Sequence, residues 1–305
     1  MENRNYILDT DIGPDCDDAA ALALAVLYAR RHGRRLLAVT HCTSSPWGVG
    51  AIRRILKWYG AEAEVGTLKD EGFLSAPQTE RYNRVLAQEV SPEEREAEDA
   101  AALLRRVLAA QEDGSVEMVG IGPMRNLAHL LASGADGASP LTGRELIARK
   151  AARLTVMAGN FTPGCDAPEW NVEMDVESAR LVAAQWPGEV VWCGWEVGER
   201  VIALREPCAL AAENPVRRAY FLHSGGEGRS SWDLCTVQWA MDGENANYTP
   251  SPAGTVDVDE RGVTRWTARE GGRHRYLSLA VSPEQAARSM EAVLAEYDHE
   301  TGAKQ

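Results

Sequence analysis

Apolar positions in this chain fall into short strand-like runs that alternate with helical spacing, and the alternation starts near residue 6. Tyr6, Ile7 and Leu8 read as the end of a strand, and Ala19 to Ala29 reads as a helix unbroken by Gly or Pro. Leu36 to Thr40 is a second compact run, closed by Thr43-Ser44-Ser45-Pro46, after which Ile52 to Tyr59 resumes helical spacing. Ala63 to Thr67 reads as a short strand. Leu68 to Glu94 has few apolar positions and scattered Gly and Pro, which predicts a mobile excursion over a site. A helix over Ala97 to Gln111, a strand over Val116 to Ile121 and a helix through Asn126 to Leu131, opened by Gly122-Pro123, repeat the unit. Leu154 to Ala158 and Val190 to Cys193 are further strands, separated by a helix that starts near Asp175 and ends before Pro187-Gly188. Beyond Asp233 come a helix, then β-rich runs at Thr255 to Val258, Val263 to Thr267 and Tyr276 to Val281, and a closing helix from Pro283 to Asp298. Repeated βα units predict an α/β fold with an open, mostly parallel central sheet and helices on both faces.

Composition narrows this picture. The 305 residues are 45% apolar and show no compositional break, so a single domain over 1–305 is expected. A net charge of -13 argues against a nucleic-acid polymer or an anionic membrane as partner and favours a small neutral or cationic substrate. Six scattered cysteines without a close-spaced framework, and an N-terminus lacking an apolar signal stretch, predict reduced thiols in a cytoplasmic protein. No run approaches the length of a membrane span.

The candidate chemistry begins at the first strand-to-helix turn, where Asp9, Asp11, Asp15, Asp17 and Asp18 crowd together. In an open α/β sheet such a turn lies at the carboxyl end of a strand, where ligands bind. One acid suffices to cap a helix, so capping by Asp15 or Asp17 leaves the others unexplained. Like charges so close repel unless a cation holds them, and oxygen ligands suit Ca²⁺ or Mg²⁺ rather than zinc.

These residues resemble a known family. Asp9-Thr-Asp11-Ile-Gly13 followed by Asp17-Asp18-Ala-Ala-Ala-Leu resembles the N-terminal signature of the inosine-uridine preferring nucleoside hydrolases. Val119 to Ala128, ending in Asn126-Leu-Ala, resembles the strand and turn before that family's "TNLA" helix. Val156-Met-Ala-Gly-Asn160 resembles its "MGG" strand end, Glu169-Trp-Asn171 its "EFN", and Ser231-Trp232-Asp233 falls where the family places its last metal-binding aspartate. The resemblance implies a Rossmann-like core and a Ca²⁺ held by Asp11, Asp18, the Ile121 carbonyl and Asp233. It implies a nucleoside substrate, with Asp17 accepting a ribose hydroxyl and Glu169 and Asn171 holding the other hydroxyls. The implied reaction is N-glycosidic cleavage to ribose and free base by a metal-bound water that Asp11 activates. A homodimer or homotetramer is implied as well.

The chain departs from the family's commonest pattern in four places, one being the absence of the family's early "HG" loop from Leu74 to Asn83. Pro14-Asp15-Cys16 makes the first spacer two residues longer, Ser45 stands in place of a ribose-contacting Asn, and Trp232 stands where many members carry a His. Trp232 is therefore expected at the substrate, with leaving-group protonation unassigned. Asn160 is a further candidate for a ribose hydroxyl, against a turn-forming role. His41 and His223 are candidate leaving-group acids, read in preference as structural or exposed. Asp175 is read as a helix cap, and Trp195 and Glu196 lie at the height of a site. Asp9 is expected behind the metal ligands as an acceptor. Two other readings stay open. One is a nucleoside- or ribose-binding protein with weak or no catalysis, and the other is a phosphohydrolase of the haloacid dehalogenase type.

Overall fold

The computed structural model describes residues 4–75, 80–242 and 246–302. Its strands are β1 (Asn5–Thr10), β2 (Leu36–His41), β3 (Glu64–Thr67), β4 (Glu98–Asp99), β5 (Val116–Gly120), β6 (Ala151–Met157), β7 (Glu189–Cys193), β8 (Ile202–Ala203), β9 (Arg229–Ser230), β10 (Tyr248–Pro250), β11 (Gly254–Val258), β12 (Thr264–Ala268) and β13 (His274–Leu279). The helices are α1 (Asp17–Arg31), α2 (Gly48–Trp58), α3 (Tyr82–Ala87), α4 (Ala100–Ala109), α5 (Arg125–Ala132), α6 (Gly143–Lys150), α7 (Trp170–Met174), α8 (Val176–Gln185), α9 (Trp195–Gly198), α10 (Pro215–Ser224), α11 (Trp232–Met241) and α12 (Pro283–Gly302).

The main sheet runs β12-β11-β13-β7-β6-β5-β1-β2-β3-β4, and every neighbouring pair from β13 to β4 is parallel. Among the described residues, antiparallel pairs join this sheet only through β10, β11 and β12, at the far edge, and β8 and β9 form a separate antiparallel pair. Parallel strands buried on both faces need continuous apolar runs, and the buried LLAVTH of β2 and VEMVG of β5 supply them. Alternation along β1 then feeds two cores. Tyr6 and Leu8 pack on the face covered by α1, α2, α10, α11 and α12, while Ile7 packs on the face covered by α4, α5, α6 and α8.

Helix α1 is buried from Asp17 through Ala29, because α11, α2, α12 and α10 surround it. Small alanines let four helices approach it, and the polarity of its first turn is all that breaks the apolar run. The chain leaves β1 toward β2 on one side and returns to β5 on the other, so β1 and β5 flank the topological switch point.

The structure revises several expected boundaries. The first strand runs past Leu8 to Thr10, and Asp11 lies in the turn beyond it. The stretch Leu68 to Glu94 carries α3, whose Tyr82 Oη donates to the Asp15 carbonyl at 2.6 Å and whose Asn83 Nδ2 donates to the Ile12 carbonyl at 3.4 Å. Two buried polar side chains thus tie it down, and its residues 76–79 lie outside the described residues. The last strand is His274–Leu279 rather than Tyr276 to Val281, because the pairing of His274 with both Gly254 and Val190 sets its start. Helices α6 and α10 had no strong apolar signal and were not expected. Among the described residues no helix is long and apolar enough to cross a membrane.

Candidate active site

A cavity of about 540 Å³ opens beyond the carboxyl ends of β1 and β5. Asp11, Asp17, Asp18, Ile121, Glu169, Asn171, Trp232 and Asp233 line it together. Asp11 comes from the turn after β1, Asp17 and Asp18 from the first turn of α1, and Asp233 from the first turn of α11. Packing of α1 against α11 brings the last two sources together. The carboxylate oxygens of Asp17, Asp18 and Asp233 lie within 4.8 Å of one another. The Asp233 amide donates to Asp17 Oδ2 at 3.1 Å, and the Thr10 hydroxyl donates to Asp18 Oδ1. Gly122 closes the floor, since a Cβ there would meet Asp11 Oδ1 at 2.8 Å and Cys42 Sγ at 2.7 Å.

These acids do not cap α1. Its N-cap is Cys16, with no side-chain cap bond. Burial drives the pKa values of Asp11, Asp17, Asp18 and Asp233 well above the carboxylate range, and their mutual repulsion adds to it. Among the described residues no Lys or Arg forms an ion pair with any of the four. A buried set of this kind, all oxygen and short of positive charge, fits a hard divalent cation.

Asp9 lies behind the cavity. Its Oδ1 accepts from Asn126 Nδ2 at 2.8 Å and Thr40 Oγ1 at 2.5 Å, and burial outweighs these bonds to lift its pKa to about 7. Asp15 lines the cavity too, but its charge is paired. Arg229 clamps it with two donors, Nε at 3.0 Å from both oxygens and Nη2 at 2.6 Å from Oδ2. His223 Nε2 stands 3.4 Å from Asp15 Oδ1. Asp15, Cys16 and His223 also converge, but Arg229 already neutralises Asp15 and burial keeps Cys16 a thiol.

On the β6 side, Glu169 accepts from the amides of Asn171 at 2.8 Å, Gly159 at 3.1 Å and Val172 at 3.3 Å. Burial nevertheless raises it to about 7. Asn171 Nδ2 donates to the Met157 carbonyl at 3.0 Å, which leaves its oxygen as the free end. Trp232 lies on the cavity wall, its Nε1 donating to the Trp195 carbonyl at 2.8 Å and the Arg229 guanidinium 5.1 Å from its ring centre.

Other candidates fall elsewhere. Asn160 does not line the cavity. Its Oδ1 accepts from the Thr162 amide at 3.0 Å, in the turn after β6. His41 is fully buried between Thr43 and Thr67, with its pKa pushed down to about 4. Ser45 and Trp47 line a separate groove. Asp175 caps α8 by accepting from the Ser178 amide at 3.2 Å. Trp195 lines the cavity, while Glu196 accepts from the Phe161 amide at 3.1 Å. Arg81, Met157, Trp170, His223 and Arg229 line it too. Nothing in local spacing links Arg229 to Asp15, 214 positions away.

Comparison with known proteins places this geometry. The family model for the inosine-uridine preferring nucleoside hydrolases matches residues 6–285. No curated protein matches the sequence. The fold is similar to that of the inosine-uridine preferring nucleoside hydrolase from Bacillus anthracis, at 17% identity, with a TM-score of 0.69 over 96% of this chain and 99% of that one. It is also similar to an inosine-guanosine nucleoside hydrolase, at 17% identity and a TM-score of 0.70 over 97% and 99%. The type III effector protein XopQ, in complex with adenosine diphosphate ribose, aligns at 16% identity and a TM-score of 0.76 over 98% and 95%.

Proposed function

This chain belongs to the inosine-uridine preferring nucleoside hydrolase family and is a hydrolase acting on N-glycosyl bonds, and on that premise we propose that it is a Ca²⁺-dependent N-ribohydrolase. In this reading it splits a nucleoside or related N-riboside into ribose and a free base. The observation that carries the reading is the convergence of Asp11, Asp17, Asp18 and Asp233, buried and without an ion-pair partner among the described residues.

Asp11, Asp18, Asp233 and the Ile121 carbonyl are the proposed ligands. Calcium takes roughly six to eight oxygens, so the set leaves positions for ribose hydroxyls. When bound, the cation supplies Lewis acidity that makes water a better nucleophile. Asp17, close to Asp18 and Asp233, would accept a ribose hydroxyl. The free oxygen of Asn171 and the Glu169 carboxyl would orient the remaining hydroxyls. Asp11 would take the proton of the attacking water. The surrounding carboxylates favour positive charge on the ribosyl ring as the C1′–N bond lengthens. The family match sets aside the phosphohydrolase alternative.

A second reading, binding without cleavage, rests on Trp232, whose one N–H is already donated to Trp195. Six free cysteines support a reducing, cytoplasmic setting for a one-domain protein. A homodimer or homotetramer completes the proposal, and sedimentation velocity tests it. The main test is turnover of a panel containing purine and pyrimidine nucleosides, p-nitrophenyl riboside and, because XopQ holds it, adenosine diphosphate ribose. Chelation should abolish cleavage and Ca²⁺ restore it, and Asp11→Ala should lower kcat by roughly a hundredfold or more while the protein stays folded. Binding of the panel with no cleavage in saturating Ca²⁺ would establish the second reading instead.

A further inference from the structure

Breaking a C1′–N bond leaves the electron pair on a base nitrogen, and a neutral base departs only if a proton reaches it. Trp232 cannot supply one, because an indole N–H is not an acid at neutral pH and this one is engaged with Trp195. The guanidiniums of Arg81 and Arg229 stay protonated through any such step. Among the described residues that line the cavity, the one other titratable group apart from the carboxylates is His223.

His223 sits in the last turn of α10 with its side chain 9% exposed. Its Nε2 faces Asp15 Oδ1 at 3.4 Å, and Arg229 clamps that carboxylate in place. Its Nδ1 is buried and has no hydrogen-bond partner. Orphaned buried polar atoms are uncommon in folded proteins and ask for an explanation. Position supplies one. Helix α10 packs against α1, α2 and α3, on the β2 flank of the cavity, whereas Glu169 and Asn171 follow β6 on the opposite flank. A ribose held by the acids and by Glu169 and Asn171, as proposed above, would leave its base free to extend toward the α10 wall.

We infer that His223 is the proton donor to the departing base, oriented by the Asp15–Arg229 pair. The inference rests on the N-ribohydrolase reading. In the step, the imidazolium keeps Nε2–H on Asp15 and gives the Nδ1 proton to a base nitrogen while the C1′–N pair moves onto the base. Water bonds to C1′ and yields its proton to Asp11. His223 is left neutral and regains a proton from solvent, so nucleoside and water become ribose and base. Burial lowers the His223 pKa, Asp15 opposes this, and Arg229 and Arg81 reinforce it. A weaker base makes a stronger donor when protonated.

The test compares substrates whose leaving groups do and do not need a proton. His223→Gln and His223→Asn should each cut kcat for nucleosides by roughly 10²–10⁴-fold, with p-nitrophenyl riboside cleaved at the wild-type rate. Imidazole added to His223→Ala should restore part of the nucleoside activity. Equal losses on both substrates in a variant with an unchanged melting temperature would overturn the assignment, as would undiminished nucleoside turnover. A wild-type enzyme inactive on every substrate would instead overturn the hydrolase reading, and this inference with it.

Discussion

At the scale of single residues, burial decides protonation, and protonation decides how stability follows pH. His274 accepts from the Val256 amide through Nδ1, and burial pushes its pKa down to about 4. The folded protein keeps it neutral while the unfolded chain protonates below about 6.5, so this group withdraws stability as pH falls from 6.5 to 4. Glu169 acts in the opposite sense. Raised from 4.5 to about 7, it retains a proton in the folded state that the unfolded chain has released, and its contribution is lost as pH rises through that window. His274→Asn should therefore show a shallower drop in melting temperature between pH 6.5 and 4 than the wild type, measured by circular dichroism, and equal slopes would refute this. Residues of this kind were only partly legible in the chain. The acidic run announced itself by density alone, and Glu169 and Asn171 by motif. His223 stood only as one of two candidate acids, read in preference as structural, since a histidine in a helix carries no sign of the carboxylate it will meet, and Asn160 was a candidate for a ribose hydroxyl because a strand end and a turn share residue types.

At the scale of elements, α1 links the core to the site. Asp17 and Asp18 ride on a helix whose alanines are buried on every side. Their positions are set by how closely α11 and α10 approach, which the small side chains allow. Ala23 is fully buried, so a larger side chain there has to displace its packed neighbours. Ala23→Leu should cost about 1–3 kcal/mol, read as a lower urea midpoint with an unchanged slope, and should also weaken activity by moving both aspartates. The glycine-rich connection after α10 is the other such device. Gly225, Gly226 and Gly228 all adopt positive φ, and a Cβ on Gly228 would meet the Ala203 carbonyl at 2.7 Å. This tight path carries the chain from His223 to Arg229 so that both reach Asp15. Strands β1, β2, β5, β6 and β7 were readable because burial on both faces demands continuous apolar runs. Helices α6 and α10 were not, because their exposed faces dilute the apolar pattern.

At the scale of the whole molecule, the acid cluster stores unfavourable free energy that a cation would relieve. Without metal, the raised pKa values of the four aspartates mean that the folded state holds protons which the unfolded state releases, so stability falls as pH rises above about 4. A cation needs the ionised carboxylates and competes with those protons, so its stabilising effect grows with pH. Ca²⁺ at a hundredfold above its Kd should add about 2.7 kcal/mol. Thermal scans of chelated and reloaded protein at pH 6 and pH 8 check this, and a melting temperature indifferent to Ca²⁺ at both would refute a metal in this cavity.

The sequence by itself determined the fold class and picked out the acids that line the cavity. Hydrophobic periodicity is a local consequence of burial, and carboxylates at a strand end must sit at the mouth of a parallel sheet. Only the tertiary structure decided how those acids divide. It paired Asp15 with Arg229, ended β1 before Asp11, and set Asp233 beside Asp17 by packing α11 on α1. It also put His223 on the cavity wall, beside Asp15. The physical reason is that charge pairing and pKa depend on distances between segments far apart in the chain, and those distances are fixed by helix packing.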